Sequence, residues 1–100
     1  MIVKEPSTKP DKLLVTFQLP SSIWAATVHL VGDFNGWNRH SHPLLHTRTD
    51  DGVWQITIEL DKGKSYQFRY LINGRDWQND WNADHYAANP FGGDNSVLET

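Results

Sequence analysis

One hundred residues with nine basic and twelve acidic side chains, a net charge of −3, make a single domain with one modest core. Neither sign forms a block and no apolar run reaches membrane-spanning length, which excludes a nucleic-acid footprint or a helical membrane anchor as the expected role. There is no cysteine, so no disulfide framework or thiol nucleophile, and the start MIVKEPSTKPDK lacks an apolar leader, which predicts a cytoplasmic protein.

Residues 1–11 carry two prolines among small and charged side chains and read as a flexible lead-in to a single domain over residues 12–100. Lys12 to Leu19 alternates Leu13, Val15, Phe17 and Leu19 with Leu14, Thr16 and Gln18, the period of a half-buried strand. Pro20-Ser21-Ser22 ends it, and Ile23 and Trp24 are placed to cover the sheet from a connection. Thr27 to Val31 is the second strand and runs into Gly32-Asp33-Phe34-Asn35-Gly36-Trp37-Asn38. There Gly32 breaks the run, and Asn35-Gly36 makes a tight turn because both residues tolerate positive φ. Phe34 is expected to point inward and Trp37 outward, as a flat, partly solvated plate.

Leu44 and Leu45 form a short apolar patch, Thr47 to Thr49 a third strand, and Asp51-Gly52 a hairpin turn. Val53 to Leu60 is the clearest strand, with Trp54, Ile56, Ile58 and Leu60 toward the core. After a turn at Asp61 to Lys64, Ser65 to Ile72 places Tyr66, Phe68, Tyr70 and Ile72 on one face and Gln67, Arg69 and Leu71 on the other. Asn73-Gly74 is a second two-residue turn, and Arg75 to Trp77 begins the returning strand. Gln78 to Asp94 is a long polar segment, functional or packed by its own side chains, and Ser96 to Glu99 closes the chain. No helical period persists. The fold class is all-β, an immunoglobulin-like sandwich.

Asp80-x-Asn82-x-Asp84 begins like a calcium loop, but His85 stands where such a loop needs glycine and Phe91 where it needs a bidentate glutamate. Turn chemistry is the better reading. His40, His42 and His46 match no zinc spacing and read as solvated loop histidines. No metal or cofactor is expected. Glycoside hydrolysis needs two carboxyls about 5–10 Å apart across a cleft. Asp33, Asp50, Asp51, Asp76, Asp80 and Asp84 sit instead at turns, where structural roles suffice, and no nucleophile-and-base pair stands out. The chain is expected to be non-catalytic.

The pattern of a hydrophobic residue, Gly32-Asp33-Phe34-Asn35-Gly36-Trp37, Pro43-Leu44, Asp51-Gly52-Val53-Trp54, Tyr66-Gln67-Phe68-Arg69-Tyr70, Asn73-Gly74 and Gly93-Asp94-Asn95-Ser96-Val97 resembles a known family. It is the isoamylase N-terminal early-set domain, carbohydrate-binding module family 48, which includes the glycogen-binding domain of AMP-activated kinase β subunits. The resemblance covers roughly Leu13 to Leu98. It implies a sugar site in which Trp37 matches the first tryptophan of the glycogen-binding members and Trp77 the second. Arg69 falls where those members carry lysine, Asn95 on the sugar-binding asparagine, and Phe91 roughly on an apolar loop residue. Asp76 is an extra residue before Trp77.

The chemistry agrees. The axial C–H faces of glucose are weakly apolar and stack on flat aromatic rings, while the ring hydroxyls need polar partners at the edge. Arg supplies several fixed donors, and Asn both donates and accepts. The implied ligand is an α-1,4-linked glucan, an oligosaccharide or a polysaccharide of the glycogen or starch type. Binding would be weak, ~10 μM to ~1 mM, because a shallow site gains little beyond the cost of ordering the ligand. Trp54 reads as core, and Trp24 and Trp81 as covers for the sandwich ends. The alternative is a protein-interaction or scaffolding module with a decayed sugar site, docking on a glucan-active enzyme through its exposed aromatics.

Overall fold

The computed structural model describes residues 2–20, 25–46, 52–90 and 93–100. Nine strands lie among them: β1 Ile2–Pro6, β2 Lys12–Pro20, β3 Val28–Gly32, β4 Leu45–His46, β5 Val53–Asp61, β6 Ser65–Ile72, β7 Asp76–Gln78, β8 His85–Ala88 and β9 Asp94–Glu99. They form two antiparallel sheets, β1-β2-β5-β4 and β3-β6-β9-β8, the immunoglobulin-like sandwich that the alternation implies. The second half of β6 also pairs with β7, so β9 and β7 follow one another along the same edge of β6.

The inward faces supply the core. Val15, Phe17 and Leu19 of β2 and Leu60 of β5 meet Val28 and Leu30 of β3, Phe68 and Tyr70 of β6 and Leu98 of β9. Phe17 and Phe68 meet edge-to-face at 5.0 Å, and Phe34 packs on Phe17 at 5.7 Å. Leu13, Trp54, Ile56 and Ile58 pack against this cluster while half-buried. Trp54 also meets the His46 ring at 4.8 Å.

Three local expectations change. The lead-in expected over residues 1–11 includes a strand: β1 runs antiparallel to β2 from Ile2 opposite Phe17 to Pro6 opposite Leu13. An edge strand is held by its backbone ladder, so it shows little apolar pattern, and proline is tolerated at its end. The long polar segment likewise holds β8, which pairs with β9 from His85 opposite Val97 to Ala88 opposite Asp94. Finally, His42 is not a freely solvated loop histidine. It is half-buried, with its ring 6.3 Å from Phe34 and Nδ1 within 2.7 Å of Ser41 Oγ. The strand expected at Thr47 to Thr49, and Trp24, lie outside the described residues.

β1 is tied across the seam to Asp84, the residue just before β8. Lys4 Nζ donates to Asp84 Oδ2 at 2.7 Å, and the Glu99 backbone N–H donates to the same oxygen at 2.8 Å. Burial works against the Asp84 charge, but these two partners outweigh it and hold the carboxyl below its ordinary 3.8. A carboxyl whose folded pKa is lowered contributes stability that is complete above its ordinary value and is lost as pH falls through the folded one. The urea midpoint is therefore expected to fall as pH drops below about 4. In Lys4→Ala that acid-side slope becomes shallower, for a contribution of up to about 1 kcal/mol at neutral pH. Urea titrations between pH 5 and pH 2 check both statements.

Candidate functional site

The outward face of the second sheet carries a constructed turn. β3 leads into a single 3-10 turn at Asp33–Asn35, after which Gly36 and Trp37 both take positive φ, 63° and 59°. The sequence expectation had Asn35 and Gly36 in that conformation. Asn35 instead works through its side chain: its Oδ1 accepts the Gly32 N–H at 3.0 Å, and its Nδ2 donates to the Leu30 carbonyl at 3.0 Å. Trp37 closes the turn by donating its N–H to the Gly32 carbonyl at 2.9 Å. A non-glycine residue in this conformation is strained by roughly 1–3 kcal/mol and persists where its surroundings over-determine it.

Those surroundings also orient the indole. Trp37 Nε1 donates to Asp33 Oδ1 at 2.9 Å, and Asp33 Oδ2 accepts the Gln67 backbone N–H of β6 at 2.8 Å. Asp33 thus pins the ring to the sheet. Phe34 points the other way, against Phe17, Tyr66 and Phe68, as the sequence implies.

Strand register brings the remaining groups to the same face. Arg69 pairs opposite Val31, and Trp77 opposite Leu71. The additional Asp76 takes the position opposite Ile72, so Trp77 remains on the face shared with Arg69. Asn95 Nδ2 donates to Gln67 Oε1 at 3.0 Å, and Asn89 Nδ2 donates to Asn95 Oδ1 at 3.4 Å, which fixes the Asn95 amide in one orientation.

These side chains line a cleft of about 650 Å³. Of the residues singled out from sequence, Trp37, Arg69, Trp77 and Asn95 line it together, and Phe91 lies outside the described residues. Asp33, Arg39, Gln67, Asn89 and Pro90 line it as well and were not singled out as binding residues. Gln67 was accessible to the alternation argument, since it lies two residues before Arg69 on one strand and so shares its face. Arg39 carries no sequence signal. Its guanidinium lies 5.3 Å from the centre of the Trp77 ring, and that of Arg69 lies 5.5 Å from the same ring. Arg69 Nε is buried without a hydrogen-bond partner.

The loop that forms one wall is held from beneath. Asp80 is fully buried, where its Oδ2 accepts the Tyr70 hydroxyl at 2.7 Å and its Oδ1 accepts the Asn82 N–H at 2.7 Å. Its backbone N–H donates to Ser96 Oγ at 2.9 Å, and its carbonyl accepts the Tyr86 hydroxyl at 2.6 Å. Burial, reinforced by the Asp80 carboxylate, pushes the Tyr70 hydroxyl well above its ordinary pKa. The calcium-like spacing at Asp80 is therefore a folding device. Asp80→Ala would strand the buried Tyr70 hydroxyl, at an expected cost of about 2–4 kcal/mol. Asp80→Asn keeps one acceptor and should cost less. Urea denaturation of both variants measures the difference.

Chemically, the cleft offers two indoles beside guanidinium and amide groups. That combination suits a flat, polyhydroxylated ligand. Asp33 is the one carboxylate among the described residues lining it.

Comparison with known proteins agrees with the fold. Residues 14–91 match the model of carbohydrate-binding module 48, the isoamylase N-terminal domain. The chain is similar to the 1,4-alpha-glucan branching enzyme GlgB of Butyrivibrio fibrisolvens, at 37% identity over 70 residues, 66% of this chain and 10% of that enzyme. It is 41% identical over 58 residues to GlgB of Novosphingobium aromaticivorans, covering 55% of this chain and 8% of the enzyme. An alpha-amylase of Niallia circulans is 34% identical over 70 residues, 69% of this chain and 5% of the amylase. The chain thus spans about a tenth or less of the length of these relatives.

Proposed function

Because the chain belongs to the carbohydrate-binding module 48 family, we propose that it is a non-catalytic module for α-1,4-linked glucan of the glycogen or starch type. The observation that carries this reading is the convergence of Trp37, Trp77, Arg69 and Asn95 on one cleft. Glucose rings stack on the two indoles, while Arg69 and the Asn95–Gln67 amide pair meet the hydroxyls at the ring edges. The relatives named as branching enzymes and an amylase support a glucan as the ligand class. Native electrophoresis through gels cast with and without glycogen tests the proposal. Mobility retarded by the polysaccharide supports it, and unchanged mobility for folded protein counts against it.

A second reading is favoured by a different surface. Trp81 is 68% exposed instead of covering a sandwich end, and it borders a small cleft with Leu19, Pro20 and Val53. This patch suits docking on a glucan-active enzyme. Under that reading Trp81→Ala weakens association with a branching enzyme while the glycogen-dependent mobility shift persists.

A further inference from the structure

We propose that the cleft is built for an α-glucosyl ligand bearing a phosphate ester, with Arg39 and Arg69 as the groups that hold the phosphate. The inference rests on the glucan reading and adds the substrate class to it. Both guanidiniums lie against one ring, 5.3 and 5.5 Å from the centre of Trp77, and both line the cleft. Each can stay over the aromatic face and still offer its in-plane N–H edge to a ligand.

Neither guanidinium is neutralised. Among the described residues Lys4, Lys9, Lys12 and Lys64 each pair with a carboxylate, whereas Arg39 and Arg69 pair with none. Lys62 and Arg75 are also without an ion pair and, like Arg39, sit at exposed positions, but unlike Arg39 they do not line the cleft. The acid nearest in role, Asp33, has its two oxygens occupied by Trp37 Nε1 and the Gln67 N–H. Two guanidiniums therefore face the cleft against one engaged carboxylate, in a chain whose net charge is −3.

A donor is also waiting. Arg69 Nε is buried and unpartnered, which is costly unless a ligand supplies the acceptor. A sugar hydroxyl could accept that one bond but would leave both charges uncompensated. A phosphate monoester carries about −1.5 to −2 at neutral pH and three acceptor oxygens, and its geometry matches the guanidinium fork. It satisfies donor and charge together, while the attached glucose keeps its stacking face on the Trp37 indole.

The test is titration of the full chain with maltoheptaose, maltoheptaose carrying one phosphate monoester, glucose 6-phosphate and inorganic phosphate, at low and at physiological salt. The phosphorylated heptasaccharide should bind about fivefold or more tightly than the neutral one, an advantage that shrinks as salt rises. In Arg39→Gln the ratio of the two affinities should fall toward one, and the Arg69 Nε–H resonance should shift in response to the phosphorylated ligand in particular. Tighter binding of the phosphorylated heptasaccharide than of glucose 6-phosphate assigns a polysaccharide source, and equal binding of the two assigns a small sugar phosphate. Inorganic phosphate matching both reduces the site to general anion binding and overturns the inference. Equal affinity for the two heptasaccharides overturns it while leaving the glucan reading standing, and no response to either removes both.

Discussion

Replacing Trp37 by alanine is expected to weaken glucan binding about tenfold to a hundredfold while the fold survives. The indole is half-buried at the rim of the cleft and does not belong to the packed core. Alanine meets the same positive φ that Trp37 already adopts, so the backbone strain changes little. The folded state loses the bond to Asp33, an exposed hydrogen bond worth about 1 kcal/mol. The bound state loses one stacking face. Covering that face from water contributes roughly 1.4–2.7 kcal/mol, which is the stated range in affinity. Calorimetric titration with maltoheptaose gives the affinity, and thermal unfolding gives the control. Trp81→Ala completes the experiment, because Trp81 is the more exposed ring yet lies outside the cleft. If exposure alone made a sugar plate, Trp81 would matter more. The cleft geometry requires that its removal change glucan affinity by less than about twofold.

Gly32→Ala is expected to be the most damaging small substitution, at about 3 kcal/mol, the upper part of the range for overpacking. A Cβ at this position would lie 2.6 Å from the Gln67 carbonyl oxygen, 2.7 Å from Phe68 Cβ and 2.9 Å from Phe34 Cζ. The first two belong to the β6 backbone and to the root of a fully buried side chain, so neither gives way cheaply. Backbone conformation is not the reason, since φ at Gly32 is −172°, extended and open to any residue. The close approach of β3 to β6 is. For a domain this size the melting temperature should fall by roughly 10–20 °C. Prising the two strands apart also moves Asp33 relative to Gln67, so glucan affinity should fall with stability. An alanine variant as stable as the parent would contradict this packing.

Much of this architecture was legible in the sequence because its strands are amphipathic. β2, β5 and β6 alternate over eight or nine residues, and their apolar sets are the ones that pack. Asn73 and Gly74 both take positive φ, 54° and 71°, as that pair implies. β1 and β8 were not legible, because an edge strand is specified by the partner it pairs with more than by its own pattern. Gly32 was visible as an interruption, but its steric reason requires knowing that β6 lies alongside. The grouping of Trp37 with Trp77 came from family resemblance. Its physical basis is β6, which holds β3 on one side and β7 on the other. Arg39 shows the limit of sequence reading. A lone arginine in a polar loop says nothing until the chain folds it over a tryptophan.

The most direct test of the central claim is amide and indole chemical-shift mapping of the intact chain during titration with maltoheptaose. Saturable shifts are expected at Trp37, Gln67, Arg69, Trp77 and Asn95, with a quiet Trp81 indole, and in Trp37→Ala the remaining shifts should need about tenfold or more ligand. Shifts centred on Trp81, or none up to several millimolar with the spectrum of a folded protein, would contradict it.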